Sequence, residues 1–274
     1  MSTKDLAKKY KRQTASRYLP VGAEDITSKI MEADLYSVST KYDGHFYLLS
    51  YDGKKAVLIN HGENVINDLP LLKEASEQLN GTCKNVVLAG ELFLHKEGER
   101  TRSFDLTAAL DDRSADIHFA AFDVLSLDSE HISLDIKDLD EKLKSLLPHG
   151  KSVNAVQTSF VESRKDIEEL FKDIVEEGGH EGIIVRSQNG PIYKIKPLIT
   201  MDGVILGYAE GEGSREGMLK EVLVGLNTSS DEYLLLTKVG NGYSEEERKK
   251  MLKNLEKKKV SSDYIEVSGS NVAF

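Results

Sequence analysis

Two short turn signals constrain the fold of this chain most. Asp52-Gly53 follows the extended run 45–51, and Asn189-Gly190 separates the runs 181–186 and 192–196. Asp, Asn and Gly accept the positive φ of a tight turn, so each pair predicts adjacent antiparallel strands. Further β-rich apolar runs stand at 35–39, 86–95 and 117–125. Helices are interspersed. Ser163 caps one, with Asp166 three residues on, an apolar face of Ile167, Leu170, Phe171 and Ile174, and Gly178 at its end. A second spans 135–147 and stops at Pro148. The expected class is α/β (α+β), built on antiparallel sheets.

The texture changes at Pro197. Runs at 204–208, 221–227 and 232–239 are short strands spaced by Gly-rich turns, the rhythm of a small barrel or sandwich, and 244–259 reads as a strongly charged helix. A first domain over 1–198 and a second over 199–274 are expected. The chain ends at Asn271-Val272-Ala273-Phe274, which reads as a strand. Nothing approaches the run of about 20 apolar residues that a membrane span needs, and the N-terminus lacks the apolar stretch of a signal peptide. The expected location is cytoplasmic, or the nucleus in a eukaryote.

The 274 residues hold one cysteine, Cys83, which excludes an internal disulfide, and no Cys/His spacing of the zinc type. Cys83 reads as a packing residue. A net charge of -10 argues against a generally basic, nucleic-acid-coating surface. Local charge differs. Lys4, Lys8, Lys9, Lys11, Arg12 and Arg17 cluster near one end against Asp5, as either a solvated tail or an arm contacting a nucleic-acid backbone, with Lys8, Lys9, Lys11 and Arg12 as its contacts.

The chemistry starts at Lys41-Tyr42-Asp43-Gly44, directly after an apolar strand. A lysine nucleophile must shed its proton, which desolvation or neighbouring positive charge promotes. Lys194 and Lys196 alternate along one strand and so share a face. If that face meets Lys41, they depress its pKa and hold a triphosphate. Further on stand Ala89-Gly90-Glu91, Ser103-Phe104-Asp105-Leu106, Phe122-Asp123-Val124-Leu125 and Glu181-Gly182-Ile183-Ile184-Val185-Arg186.

In this order the segments resemble the motifs of the covalent nucleotidyltransferases, and among them the ATP-dependent DNA ligases. The resemblance implies a nucleotidyltransferase (ATP-grasp-like) domain followed by an OB-fold domain. It makes Lys41 the nucleophile that takes AMP, with Lys194 and Lys196 on the phosphates. Glu91 takes the ribose, Phe122 stacks on adenine, and Glu181 holds Mg²⁺ or Mn²⁺ while also bordering the nucleotide. Ser39, Thr40, Asp43 and Gly44 also border the nucleotide. Implied partners are ATP and nicked duplex DNA, with RNA as an alternative, and a monomer is expected.

The second domain carries the likeness on through Val204-Ile205-Leu206-Gly207-Tyr208 and Lys238-Val239-Gly240-Asn241-Gly242-Tyr243, but no R-x-D-K-like motif follows, so the OB fold is expected to be incomplete. With no long extension before Lys41, the chain is expected to resemble minimal ligases. Four positions depart from the family pattern. Phe46 and Asn60 stand where arginines are usual, Ser39 where a Glu is usual, and Ala89 where the ribose motif begins with Asp. These departures keep two alternatives open: an RNA or end-repair ligase, and a nucleotide-binding scaffold that has lost sealing. Arg186 reads as a surface charge able to reach a phosphate, and His180 as a surface turn residue.

Overall fold

The computed structural model describes residues 3–112, 115–148, 150–198, 200–228 and 233–260. The chain divides into two compact units, Met1–Leu198 and Ile199–Phe274. In the first, helix α1 (Thr3–Gln13) leads to strand β1 (Leu19–Gly22) and the short helix α2 (Ile26–Lys29). Strands β2 (Tyr36–Lys41), β3 (His45–Tyr51), β4 (Ala56–Ile59) and β5 (Val65–Ile66) precede helix α3 (Leu71–Leu79). Next come β6 (Val86–Leu94), α4 (Ser103–Ala109), β7 (Ile117–Leu127), β8 (Glu130–His131), α5 (Ile136–Leu146), β9 (Val153–Ala155) and β10 (Thr158–Val161). Helix α6 (Arg164–Phe171), continued by a wider turn over Lys172–Glu177, leads into β11 (Gly182–Ser187) and β12 (Tyr193–Lys196).

These strands make two sheets. The smaller runs β1-β12-β11-β2-β10, antiparallel except where β1 lies parallel to β12. The larger runs β5-β4-β3-β6-β7-β8, with β9 added parallel to β7. The alternation along β3 shows how the large sheet is packed on both faces. Tyr47, Leu49 and Tyr51 join Leu72, Ala75 and Leu79 of α3 in one core, while Phe46 and Leu48 turn to the other face. The small sheet buries Tyr36, Val38, Ile183, Val185, Tyr193 and Ile195 against Ile26 of α2 and Ile167 and Phe171 of α6. Its opposite face is left for polar side chains.

Local chemistry explains the boundaries. Gly53 has φ +92°, as the Asp52-Gly53 turn requires, and Asp52 Oδ1 accepts from the amides of Lys54 and Lys55 at 2.9 Å each. Ser163 and Asp166 form a reciprocal capping box, and Asp135 caps α5. Gly90 marks a β-bulge, and a Cβ there would lie 2.3 Å from the Phe119 ring. Cys83 is half-buried against the main core.

The N-terminal cluster is not the solvated tail that was one of its two expected forms. Residues 3–13 form an amphipathic helix that buries Ala7 and Tyr10 on the large sheet beside Phe46, Leu48, Val87 and Ala89. The apolar positions lie three apart, so one stripe of an otherwise charged helix finds a partner surface.

The second unit holds β13 (Val204–Glu210), β14 (Leu219–Asn227) and β15 (Tyr233–Val239) in an antiparallel sheet, and helix α7 (Glu245–Glu256), capped by Ser244. Leu252 packs on Leu219 and Val222, and Arg248 donates to the carbonyls of Leu219, Lys220 and Gly240. The expected terminal strand 271–274 lies outside the described residues. No described helix is long and apolar enough to cross a membrane.

Candidate active site

The polar face of the small sheet and the α1-covered face of the large one meet in a cavity of about 500 Å³. Strand register builds its walls. Ser39 of β2 lies opposite Ile184 of β11, which lies opposite Lys194 of β12, so one row crosses the small sheet. On the large sheet Phe46 lies opposite Glu91. Of the residues singled out from sequence, the cavity brings together Ser39, Thr40, Lys41, Gly44, Glu91, Phe122, Lys194 and Lys11. A second cavity of about 520 Å³ lies beside it and is lined by Asp43, Arg100, Glu181 and others; Lys41 and Tyr42 line both.

Lys41 ends β2, opposite Gly182. Gly44 is required by packing, because a Cβ there would come within 2.1 Å of the Leu92 carbonyl oxygen. Asp43 turns away from the first cavity, its Oδ1 accepting at 3.3 Å from the Ser103 amide at the start of α4.

Glu181, only 9% exposed, takes Lys41 Nζ on one carboxylate oxygen and Lys196 Nζ on the other. Burial pushes its carboxyl up, but the hydrogen bonds and charges of the two lysines outweigh burial and hold its pKa below the usual value. Lys194 and Lys196 do share a face. They do not both approach Lys41 as bare like charges, because the Glu181 carboxylate stands between Lys41 and Lys196 and neutralises part of their repulsion. Lys194 lines the cavity instead.

Glu91 sits on the cavity wall, where burial pushes its carboxyl up to about 7; Lys41 and Lys11 oppose that shift, while Glu181 and Asp43 add to it. The ring of Phe122 lies 6.4 Å from that of Phe46.

Arg186 is a correction. It is not a surface charge: its side chain is 14% exposed and lines the cavity, with Nη1 3.8 Å from Asp123 and Nη2 donating to the Tyr18 hydroxyl at 3.3 Å. Burial works against its charge, yet Tyr18, Tyr10 and Asp123 hold its pKa above the ordinary range. Its position two residues beyond Ile184 on β11 was the available signal, readable only once the register was known. Tyr10, Tyr18 and Asp123 were missed for the same reason. Lys8 pairs with Glu63, and neither Lys8, Lys9 nor Arg12 lines a described cavity. His180 is exposed, as its turn position implies, with its ring edge-on to Tyr42 at 6.0 Å.

Among the described residues no group of three or more His, Cys, Asp or Glu side chains is arranged to hold a metal. Glu181 is a hard oxygen donor, the type Mg²⁺ takes together with phosphates and water; it borders the second cavity, with its two oxygens on Lys41 and Lys196.

Two mainly antiparallel sheets meet at a lysine-edged cavity, and solved ligase structures share this fold. A solved structure designated Pmar-Lig_Pre is similar over 94% of this chain and 64% of its own, with TM-score 0.68 and 17% identity. A Lig E DNA ligase is similar over 85% and 87%, with TM-score 0.56 and 20% identity. The sequence profile of the ATP-dependent DNA ligase domain matches residues 18–197, and the chain belongs to that family. The DNA ligase of Halobacterium salinarum is 29% identical over 269 residues, covering 88% of this chain and 47% of the relative. That of Natronomonas pharaonis is 28% identical over 243 residues, covering 80% and 42%. The chain thus spans a little under half the length of these curated relatives.

Proposed function

We propose that this chain is the catalytic part of an ATP-dependent DNA ligase that seals nicks in duplex DNA. One observation carries the reading: Lys41 stands at the edge of a cavity that gathers Glu91, Phe122 and Lys194, beside the Lys41–Glu181–Lys196 cluster. ATP enters with its base beside Phe122 and its ribose near Glu91. The deprotonated Nζ of Lys41 forms a bond to the α-phosphorus, the bond to the bridging oxygen breaks, and pyrophosphate leaves. The AMP passes to a DNA 5′-phosphate, and a 3′-hydroxyl then displaces it to join the strand. Lys194 and Lys196 offset charge on the phosphate oxygens, and positioning supplies much of the rest. Glu181 would hold a divalent cation, Mg²⁺ or Mn²⁺, which supplies further neutralisation of phosphate charge when bound.

DNA is favoured over RNA as substrate by the named relatives, all DNA ligases. Exposed Lys9 and Arg12 on α1 are available to backbone phosphates. Incubation with α-³²P-ATP and Mg²⁺, followed by a denaturing gel, should show a labelled protein that disappears in Lys41→Ala. Label retained in that variant, or none in the parent at saturating ATP, would sink the reading.

A further inference from the structure

Helix α1 lies outside the segment matched by the family profile, yet it forms part of the cavity wall. Its contacts there go beyond packing. The Tyr10 ring stacks on Phe46 with centroids 5.5 Å apart and planes 4° from parallel, and lies 6.4 Å from Phe122. Its hydroxyl donates to Asp123 Oδ2 at 2.8 Å. The same carboxylate faces Arg186, whose guanidinium carbon lies 6.0 Å from the centre of the Phe122 ring. Tyr10 therefore ties the two cavity rings to the half-buried Arg186–Asp123 pair. The next residue, Lys11, lines the cavity with Nζ 5.9 Å from the Phe46 ring centre, near enough to act on the charge of Glu91.

We propose that α1 is an integral part of the nucleotide site, with Tyr10 as a positioning residue for Phe46 and Phe122, and Lys11 as a cation that meets the phosphates of the bound nucleotide. The inference rests on the cavity being the nucleotide site, and it assigns Lys11 to the nucleotide rather than to DNA. The stack on Tyr10 fixes the orientation of the Phe46 ring beside Phe122, and the Tyr10 hydroxyl donates to the half-buried Asp123 carboxylate that also faces Arg186.

The test uses the full chain and α,β-methylene-ATP, which can bind but cannot transfer AMP, with affinity read by calorimetry and melting temperature in parallel. Tyr10→Ala should weaken binding about tenfold through loss of the stack and the hydrogen bond. Tyr10→Phe keeps both ring contacts and should lose about threefold. Lys11→Met should weaken the analogue by a much larger factor than it weakens adenosine, which lacks the phosphates. It should also move the pH midpoint of analogue binding upward, because Glu91 loses one of the cations opposing its protonation while Lys41, Glu181 and Asp43 still face it. A helix that merely stabilised the fold would lower melting temperatures without changing the affinity of the folded protein. Parental affinity in Tyr10→Phe and Lys11→Met, with the pH midpoint unmoved, overturns the proposal. A parent that binds the analogue but forms no adduct with ATP would refute the ligase reading, and the same variants would still decide the role of α1.

Discussion

Glu91 is the residue whose environment departs most usefully from water. Its carboxyl, ordinarily at 4.5, is pushed up to about 7, first by burial. Below both values the folded and unfolded chains are equally protonated and Glu91 contributes nothing. As pH rises between them the unfolded chain gives up the proton first, so Glu91 draws stability down across that window, by about 3 kcal/mol at most. Glu91→Gln removes the titration. Urea midpoints measured from pH 4 to 8 should diverge, the variant gaining relative to the parent up to about pH 7 and no further; parallel curves would contradict the burial of this group. The two lysines of β12 separate by another measurement. Lys196→Met strips one partner from the buried Glu181 and should lower the melting temperature as well as adenylylation. Lys194→Met, at the cavity wall, should lower adenylylation with little change in melting.

Elements were legible where local chemistry decided them. Ser163 with Asp166, Asp135 and Ser244 fix three helix starts, and Ser163→Ala should cost about 1 kcal/mol in chemical denaturation. Strands β3, β6, β7, β11 and β12 followed from apolar runs and turn residues. Helix α1 was hidden because its charged residues dominate its composition, and its apolar stripe means nothing until the sheet face it covers exists. Helix α3 was missed although Leu71, Leu72, Ala75 and Leu79 carry a helical period, and the two- to four-residue strands β1, β5, β8, β9 and β10 are too short to show alternation at all. In the site, Lys41, Glu91, Phe122, Glu181, Lys194 and Lys196 were readable as an ordered series. Arg186 and Tyr10 were not, since each matters through a partner more than 60 residues away in sequence. In the second unit, Arg248 is the tie between α7 and the sheet. Arg248→Met leaves three carbonyls without their donor and should speed amide exchange across β14, at a cost of roughly 1–3 kcal/mol; unchanged exchange would show the tie to be dispensable.

At the scale of the whole molecule, every residue lining the first cavity belongs to the unit Met1–Leu198. A fragment of residues 1–198 should therefore bind α,β-methylene-ATP within about twofold of the full chain, as calorimetry would show, while sealing of nicked DNA should fall much further. A loss of nucleotide affinity comparable to the loss of sealing would mean that the second unit completes the pocket. The two cavities have a consequence of their own. Lys41 and Tyr42 stand in the partition between them. An amine in a shared wall is open to approach from two sides, so a group held in either cavity can reach the same nitrogen.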